Sequence, residues 1–161
     1  MTPVHKLPNS GIIDMKDIIQ PDQKSILIFI VDDDALYLKS LELQFSQNPN
    51  LKIETFLTGE DCIKNLILKP DVIILDYILS SVNIRALDGL QTLAIIKETL
   101  PNTQVIMLSA MEYIDVATQS LKLGAFDYVV KNLNTFFRLK ACIKKILGIF
   151  SKEKELIVWD W

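Results

Sequence analysis

The sequence predicts an α/β fold: one parallel sheet with helices on both faces, a three-layer α/β/α arrangement. Three observations carry this reading. Unbroken β-branched and aliphatic runs, SILIFIV at 25–31, DVIILD at 71–76 and QVIMLS at 104–109, mark strands buried on both sides. Stretches with helical apolar spacing separate them. Strand and helix alternate five times through short connections, the pattern that right-handed βαβ units close into one sheet. At 161 residues the chain has the length of one ordinary domain.

Taken in order, residues 1–24 hold three of the six prolines and no sustained period, and read as a lead-in with a short apolar anchor near Ile18. After the first strand, Ala35 to Gln47 sets Leu38, Leu41 and Phe45 on one helical face, and NPN stops it. LKIETF at 51–56 alternates as a half-exposed strand does. TGEDCIKNLIL predicts a helix capped by Thr58, with Glu60 and Asp61 in its first turn and Pro70 beyond its end. The third strand is DVIILD; Gly89 to Leu100 is the third helix, closed by Pro101. QVIMLS is the fourth strand, and Glu112 to Leu123 the fourth helix, ending on Gly124. Ala125 to Val130 gives the fifth strand and Thr135 to Phe150 the fifth helix. Residues 25–150 thus form the expected domain, and 151–161, SKEKELIVWDW, a tail or a truncated linker.

Composition narrows the function. Half the residues are hydrophobic and mean hydropathy is +0.28, which excludes disorder over most of the length. A net charge of −3 and a pI near 5.2 leave no basic footprint, so nucleic acid is not expected as a direct ligand. Cys62 and Cys142 lack metal-ligand spacing and sit in apolar helical patterns, as buried free thiols of a reducing compartment do. No secretory leader pattern opens the chain and no apolar run reaches spanning length, so a soluble, cytoplasmic protein is expected, with no membrane role. The one histidine, His5, falls in the lead-in, which argues against a histidine-based triad or metal site.

In open α/β sheets ligands bind beyond the carboxyl ends of the strands. Those ends carry Asp32 and Asp33, Phe56, Asp76, Ser109 and Lys131. Clustered carboxylates stay ionised only with a compensating cation. Oxygen-only ligands that leave room for water favour Mg²⁺. A cation faced by an ammonium and a hydroxyl makes a clamp for a phosphoryl group, with a carboxylate free to act as nucleophile. Asp76, alone at the end of the central strand, is the candidate.

The set VDDD, VIILD, VIMLS and GAFDYVVK resembles the receiver domain of bacterial two-component response regulators, over about Ser25 to Phe150. The resemblance implies a flavodoxin-like, doubly wound fold. It implies phosphotransfer from the phosphohistidine of a histidine kinase or phosphotransfer protein to Asp76, with the chain catalysing its own phosphorylation and dephosphorylation rather than turning over a small substrate. Asp32, Asp33, Asp76 and the backbone carbonyl of Ile78 would hold Mg²⁺. Lys131 would bind a phosphoryl oxygen; Ser109 would reorient toward another, with Tyr128 swinging inward behind it. The signal would pass through helix 4, strand 5 and helix 5 to a downstream protein, a missing output domain or a second copy of the chain.

Three departures stand out. Asn132 replaces the proline that usually follows the lysine, where the family's bond is typically cis. The stretch 77–87 is longer than usual and lacks its proline. Ile78 and Met111, two residues past Asp76 and Ser109, are apolar where the family tunes access of water, which predicts slow self-dephosphorylation.

Single residues have plainer readings. Asp34 suits a helix cap, Ser109 a turn, Tyr128 the core, Lys131 a solvated loop, and Asp88 with Gly89 a helix entry. Only joint placement favours the functional reading. Two alternatives stay open: a receiver-like docking module independent of phosphate, and a haloacid-dehalogenase-type phosphatase with Asp32 as nucleophile and Asp34 as general acid. Against the latter, Leu36 breaks its pattern, its later acidic pair is missing and Asp76 goes unused.

Overall fold

The structure, a computed structural model, describes residues 25–79 and 86–153. His5, the anchor near Ile18, most of the long 77–87 stretch and the tail from 154 onward lie outside the described residues. The chain alternates β1 (Ile26–Val31), α1 (Ala35–Phe45), β2 (Leu51–Phe56), α2 (Gly59–Lys64), β3 (Val72–Asp76), α3 (Gly89–Thr99), β4 (Gln104–Ser109), α4 (Ile114–Lys122), β5 (Asp127–Val130) and α5 (Thr135–Glu153).

All neighbouring strands pair in parallel, in the order β2-β1-β3-β4-β5. This is the flavodoxin-like doubly wound order, and its direction reverses between β1 and β3. A crevice therefore opens between their carboxyl ends. β3 is buried along its whole length, as its continuous apolar run requires, while the edge strand β2 alternates between inside and outside.

The sheet separates two cores. On one face Ile28 and Ile30 of β1 meet Leu38, Leu41 and Phe45 of α1 and Leu139, Ile143 and Ile146 of α5. On the other, Phe29 and Ile73 meet Cys62 of α2 and Leu93 and Ile96 of α3. Burying one such side chain stabilises by about 1.5–3 kcal/mol, so the two cores dominate the folding energy. Strand period 2 explains the division: alternate residues of one strand feed opposite layers.

Several boundaries differ from those expected, the end of α1 at Phe45 rather than Gln47 among them. The second helix ends at Lys64, and a 3₁₀ turn over Leu66–Leu68 follows, with Lys69 left-handed at φ 54°. Asn65 interrupts it: its side-chain amide donates to the Asp61 carbonyl, a local bond that competes with further helix. α4 begins at Ile114 rather than Glu112, and β5 at Asp127 rather than Ala125, because Ala125 N–H bonds the Ser120 carbonyl instead of a strand. α5 continues past Phe150 to Glu153.

Candidate functional site

The site is assembled by strand ends that sheet pairing places side by side. Asp32 follows β1, and its N–H bonds the Phe56 carbonyl, holding the first aspartate against β2. Its Oδ1 accepts from Asp34 N–H at 3.0 Å, the turn that lets the chain leave the sheet. Asp34 itself caps α1, accepting from the N–H groups of Leu36 and Tyr37. The acidic run thus divides: Asp34 faces its own helix, while Asp32, fully buried, faces the crevice.

Asp76 ends β3 at 3% exposure, with Oδ2 accepting from Ile78 N–H at 3.0 Å. Its backbone is fixed from below. Gly89, held by its N–H to the Tyr77 carbonyl at 2.9 Å, opens α3 against the Asp76 and Tyr77 main chain. Asp88 and Gln91 form a capping box at that entry. Glu60 of α2 accepts from Leu87 N–H at 2.8 Å and ties down the end of the preceding loop.

Lys131 comes one residue after β5, placed by its N–H to the Ser109 carbonyl at 2.7 Å. Its Nζ lies 2.6 Å from Asp32 Oδ2 and 2.8 Å from Asp76 Oδ1. Burial pushes this ammonium's pKa down, but the bonds and charges of Asp32 and Asp76 outweigh that, and the net direction is up. The carboxylates are less well served. Burial, opposed by Lys131, raises the pKa of Asp32, and burial with the Asp32 charge, again opposed by Lys131, pushes Asp76 up to about 6. One ammonium does not satisfy this group of acids.

Asp32, Asp33 and Asp76 each offer an oxygen within 4.8 Å of the others. Opposite ligands around Mg²⁺ stand about 4.2 Å apart, twice the ~2.1 Å bond, so slight side-chain rotation closes the set. Three negative charges less the one positive charge of Lys131 leave a formal −2, which a divalent cation cancels. Asp76 Oδ1 is buried and, despite its ion pair, has no partner in hydrogen-bonding geometry. The donor set fits a hard divalent cation.

The remaining expected residues are nearby. Ser109 ends β4, fully buried, with Oγ accepting from Met111 N–H at 3.3 Å. Tyr128, 9% exposed, packs in the second core and donates its hydroxyl to the Met111 carbonyl at 2.9 Å. It therefore stands inward, tethered to the loop after β4. Ile78 and Met111 are 44% and 57% exposed and flank Asp76 and Ser109 with apolar surface. The Lys131–Asn132 bond is trans.

Sequence reasoning missed Tyr37 and Thr135. The Tyr37 ring lies 4.7 Å from Lys131 Nζ, and Thr135 binds the backbone just after Lys131. Neither stands at a strand end: Tyr37 lies in α1 and Thr135 opens α5. An aromatic one helical turn after Asp34 was the only available sign.

Comparison with known proteins agrees with this fold. Residues 28–143 match the family described as response regulator receiver domain. A protein-glutamate methylesterase/protein-glutamine glutaminase of Methanosarcina barkeri (strain Fusaro / DSM 804) is 39% identical over 108 residues, 66% of this chain and 27% of that protein. The chain thus spans about a quarter of the length of the curated relatives it matches. The solved BeF3-activated DrrB receiver domain superposes with a TM-score of 0.63 at 32% identity, covering 77% of this chain and 98% of that one. The CheX–CheY–BeF3–Mg²⁺ complex from Borrelia burgdorferi gives 0.66 at 26%, covering 76% and 89%.

Proposed function

The chain belongs to the response regulator receiver family of two-component systems, and from that premise we propose that it accepts a phosphoryl group on Asp76 in a Mg²⁺-dependent reaction. The observation that carries this reading is the position of Lys131 Nζ, between Asp32 at 2.6 Å and Asp76 at 2.8 Å.

Asp32, Asp33, Asp76 and the Ile78 carbonyl would hold the cation; a relative, CheY, is described in complex with Mg²⁺. When bound, the ion neutralises charge on the acids and on the phosphoryl oxygens. An Asp76 carboxylate oxygen attacks phosphorus in line. The P–N bond of a donor phosphohistidine breaks, its electron pair returning to the imidazole, and an aspartyl phosphate remains. Lys131 exchanges its Asp76 contact for a phosphoryl oxygen. Ser109 turns its hydroxyl from Met111 N–H to donate to another oxygen, and Tyr128 keeps the vacated space filled. The relay then runs through α4, β5 and α5, where Ile114 and Leu121 expose apolar surface to a downstream protein, an output domain or a second copy.

The phosphatase reading loses ground here, since the Asp34 carboxylate caps α1 instead of facing Asp32. The matched methylesterase's activity is not carried over, because the match covers 27% of it. Among the described residues no helix is long and apolar enough to cross a membrane.

The test is intact-mass analysis after incubation with acetyl phosphate and Mg²⁺. An acid- and base-labile adduct, Mg²⁺-dependent and lost in Asp76→Asn, is expected. An adduct that survives in Asp76→Asn but vanishes in Asp32→Asn would establish the phosphatase reading. No adduct at all would leave a docking module independent of phosphate.

A further inference from the structure

Lys131 must hold its ammonium in place although the residue after it is asparagine. The segment carries its own brace. Asn132 N–H donates to Thr135 Oγ1 at 2.6 Å, and Thr135 Oγ1 lies 2.8 Å from the Asn132 carbonyl oxygen, to which its hydroxyl can donate. Asn132 Oδ1 in turn accepts from Asn134 N–H at 2.8 Å. Thr135 is only 4% exposed, so its two bonds to Asn132 are made by a buried hydroxyl, which is held firmly, while the Asn132–Asn134 bond lies at the surface. Proline at 132 would have no N–H to give. Asparagine supplies the donor that the threonine captures.

The first turn of α1 contributes Tyr37. Its ring faces Lys131 Nζ at 4.7 Å, within range of a cation–π contact. Its buried hydroxyl interacts with the Thr135 side chain but stands in full hydrogen-bonding geometry with no group among the described residues. An unpaired buried hydroxyl is a cost, so the ring rather than the hydroxyl accounts for the residue's contribution here. Backbone is thus fixed from α5 and ammonium from α1, two elements that pack on the same face of the sheet.

We propose that Thr135 and Tyr37 are positioning residues for Lys131, a hydrogen-bonded brace and an aromatic wall that together aim its ammonium at Asp32 and Asp76. The inference rests on the phosphoacceptor reading for its consequence, though not for its geometry. Neither residue touches the reacting atoms. Each acts through Lys131.

The experiment has two readouts on the full chain. The first is amine acylation mapped by mass spectrometry, with the exposed Lys39 and Lys64 as internal references. Lys131 should label faster, by on the order of fivefold or more, in Thr135→Val and Tyr37→Leu, and at the original rate in Thr135→Ser and Tyr37→Phe. The second is the rate of adduct formation from acetyl phosphate. Thr135→Val and Tyr37→Leu should slow it by on the order of tenfold, Thr135→Ser and Tyr37→Phe should restore it, and neither loss should recur in a Lys131→Ala background. Unchanged labelling in both disruptive variants overturns the proposal. So does a slowing that persists in full without Lys131. If wild type takes up no phosphate while the labelling pattern appears as expected, the phosphoacceptor reading fails and the brace stands.

Discussion

Gly89 lies so close beneath Asp76 that a β-carbon on it would come within 2.3 Å of the Asp76 carbonyl oxygen and 2.6 Å of Tyr77 Cα. The first turn of α3 is thereby pressed against the backbone of the proposed nucleophile. Both neighbours are main chain, so no side chain can swing aside. Gly89→Ala must displace β3's end or the helix, at roughly 1–3 kcal/mol, and urea unfolding measures it. Because the displaced backbone carries Asp76, adduct formation should fall as well. Gly148, where a β-carbon would meet nothing within 4 Å, provides the control: Gly148→Ala should leave both unchanged or raise stability slightly.

A second expectation concerns pH. Without metal, burial and the Asp32 charge, only partly offset by Lys131, push Asp76 from 3.8 up to about 6. A carboxyl whose folded value is raised keeps its proton where the unfolded chain has lost it. The stability it contributes is complete below about pH 4 and is lost as pH rises through 6. The metal-free protein should weaken over that window by up to about 3 kcal/mol, two pKa units at ~1.4 kcal/mol each. Asp76→Asn should flatten the slope and raise metal-free stability at pH 7.5. Mg²⁺ should raise the wild-type melting temperature at pH 7.5 more than that of Asp76→Asn.

Once formed, the phosphorylated state should persist. Ile78 and Met111, exposed and two residues past Asp76 and Ser109, put apolar rather than hydrogen-bonding side chains beside the site, which leaves an attacking water without a partner there. A half-life of minutes or longer is expected in purified protein, shortened by on the order of tenfold in Met111→Asn. Decay within seconds in the wild type would contradict it. Adduct mass followed over time settles the matter.

The two thiols should be silent in the folded state. Burial pushes Cys62 up to about 12, and burial with the Asp127 contact pushes Cys142 up to about 11. Neither forms thiolate at pH 8, and both are shielded. A colorimetric thiol reagent should therefore react only at the rate of unfolding, and denaturant should release two thiols per chain together.

Continuous apolar runs made β1, β3 and β4 legible because a strand buried on both faces admits nothing else. The strand ends made Asp32, Asp76, Ser109 and Lys131 legible as a group, since parallel topology brings such ends together. The early end of α2 was hidden, because Asn65 acts through one side-chain bond that no periodicity records. The start of α4 was equally obscure, lying where Tyr113 gives no side-chain cap. Tyr37 and Thr135 escaped for a different reason. Their effect comes from the meeting of α1 with α5, about a hundred residues apart, and no local pattern encodes that meeting.

The ion pair between Asp32 and Lys131 spans 99 positions, and β5 joins the sheet at its outer edge. A ribosome making this chain therefore releases the acids long before their counterion. Through that interval the aspartates lack the ammonium that opposes them in the finished site, so their mutual repulsion is relieved only once β5 has docked.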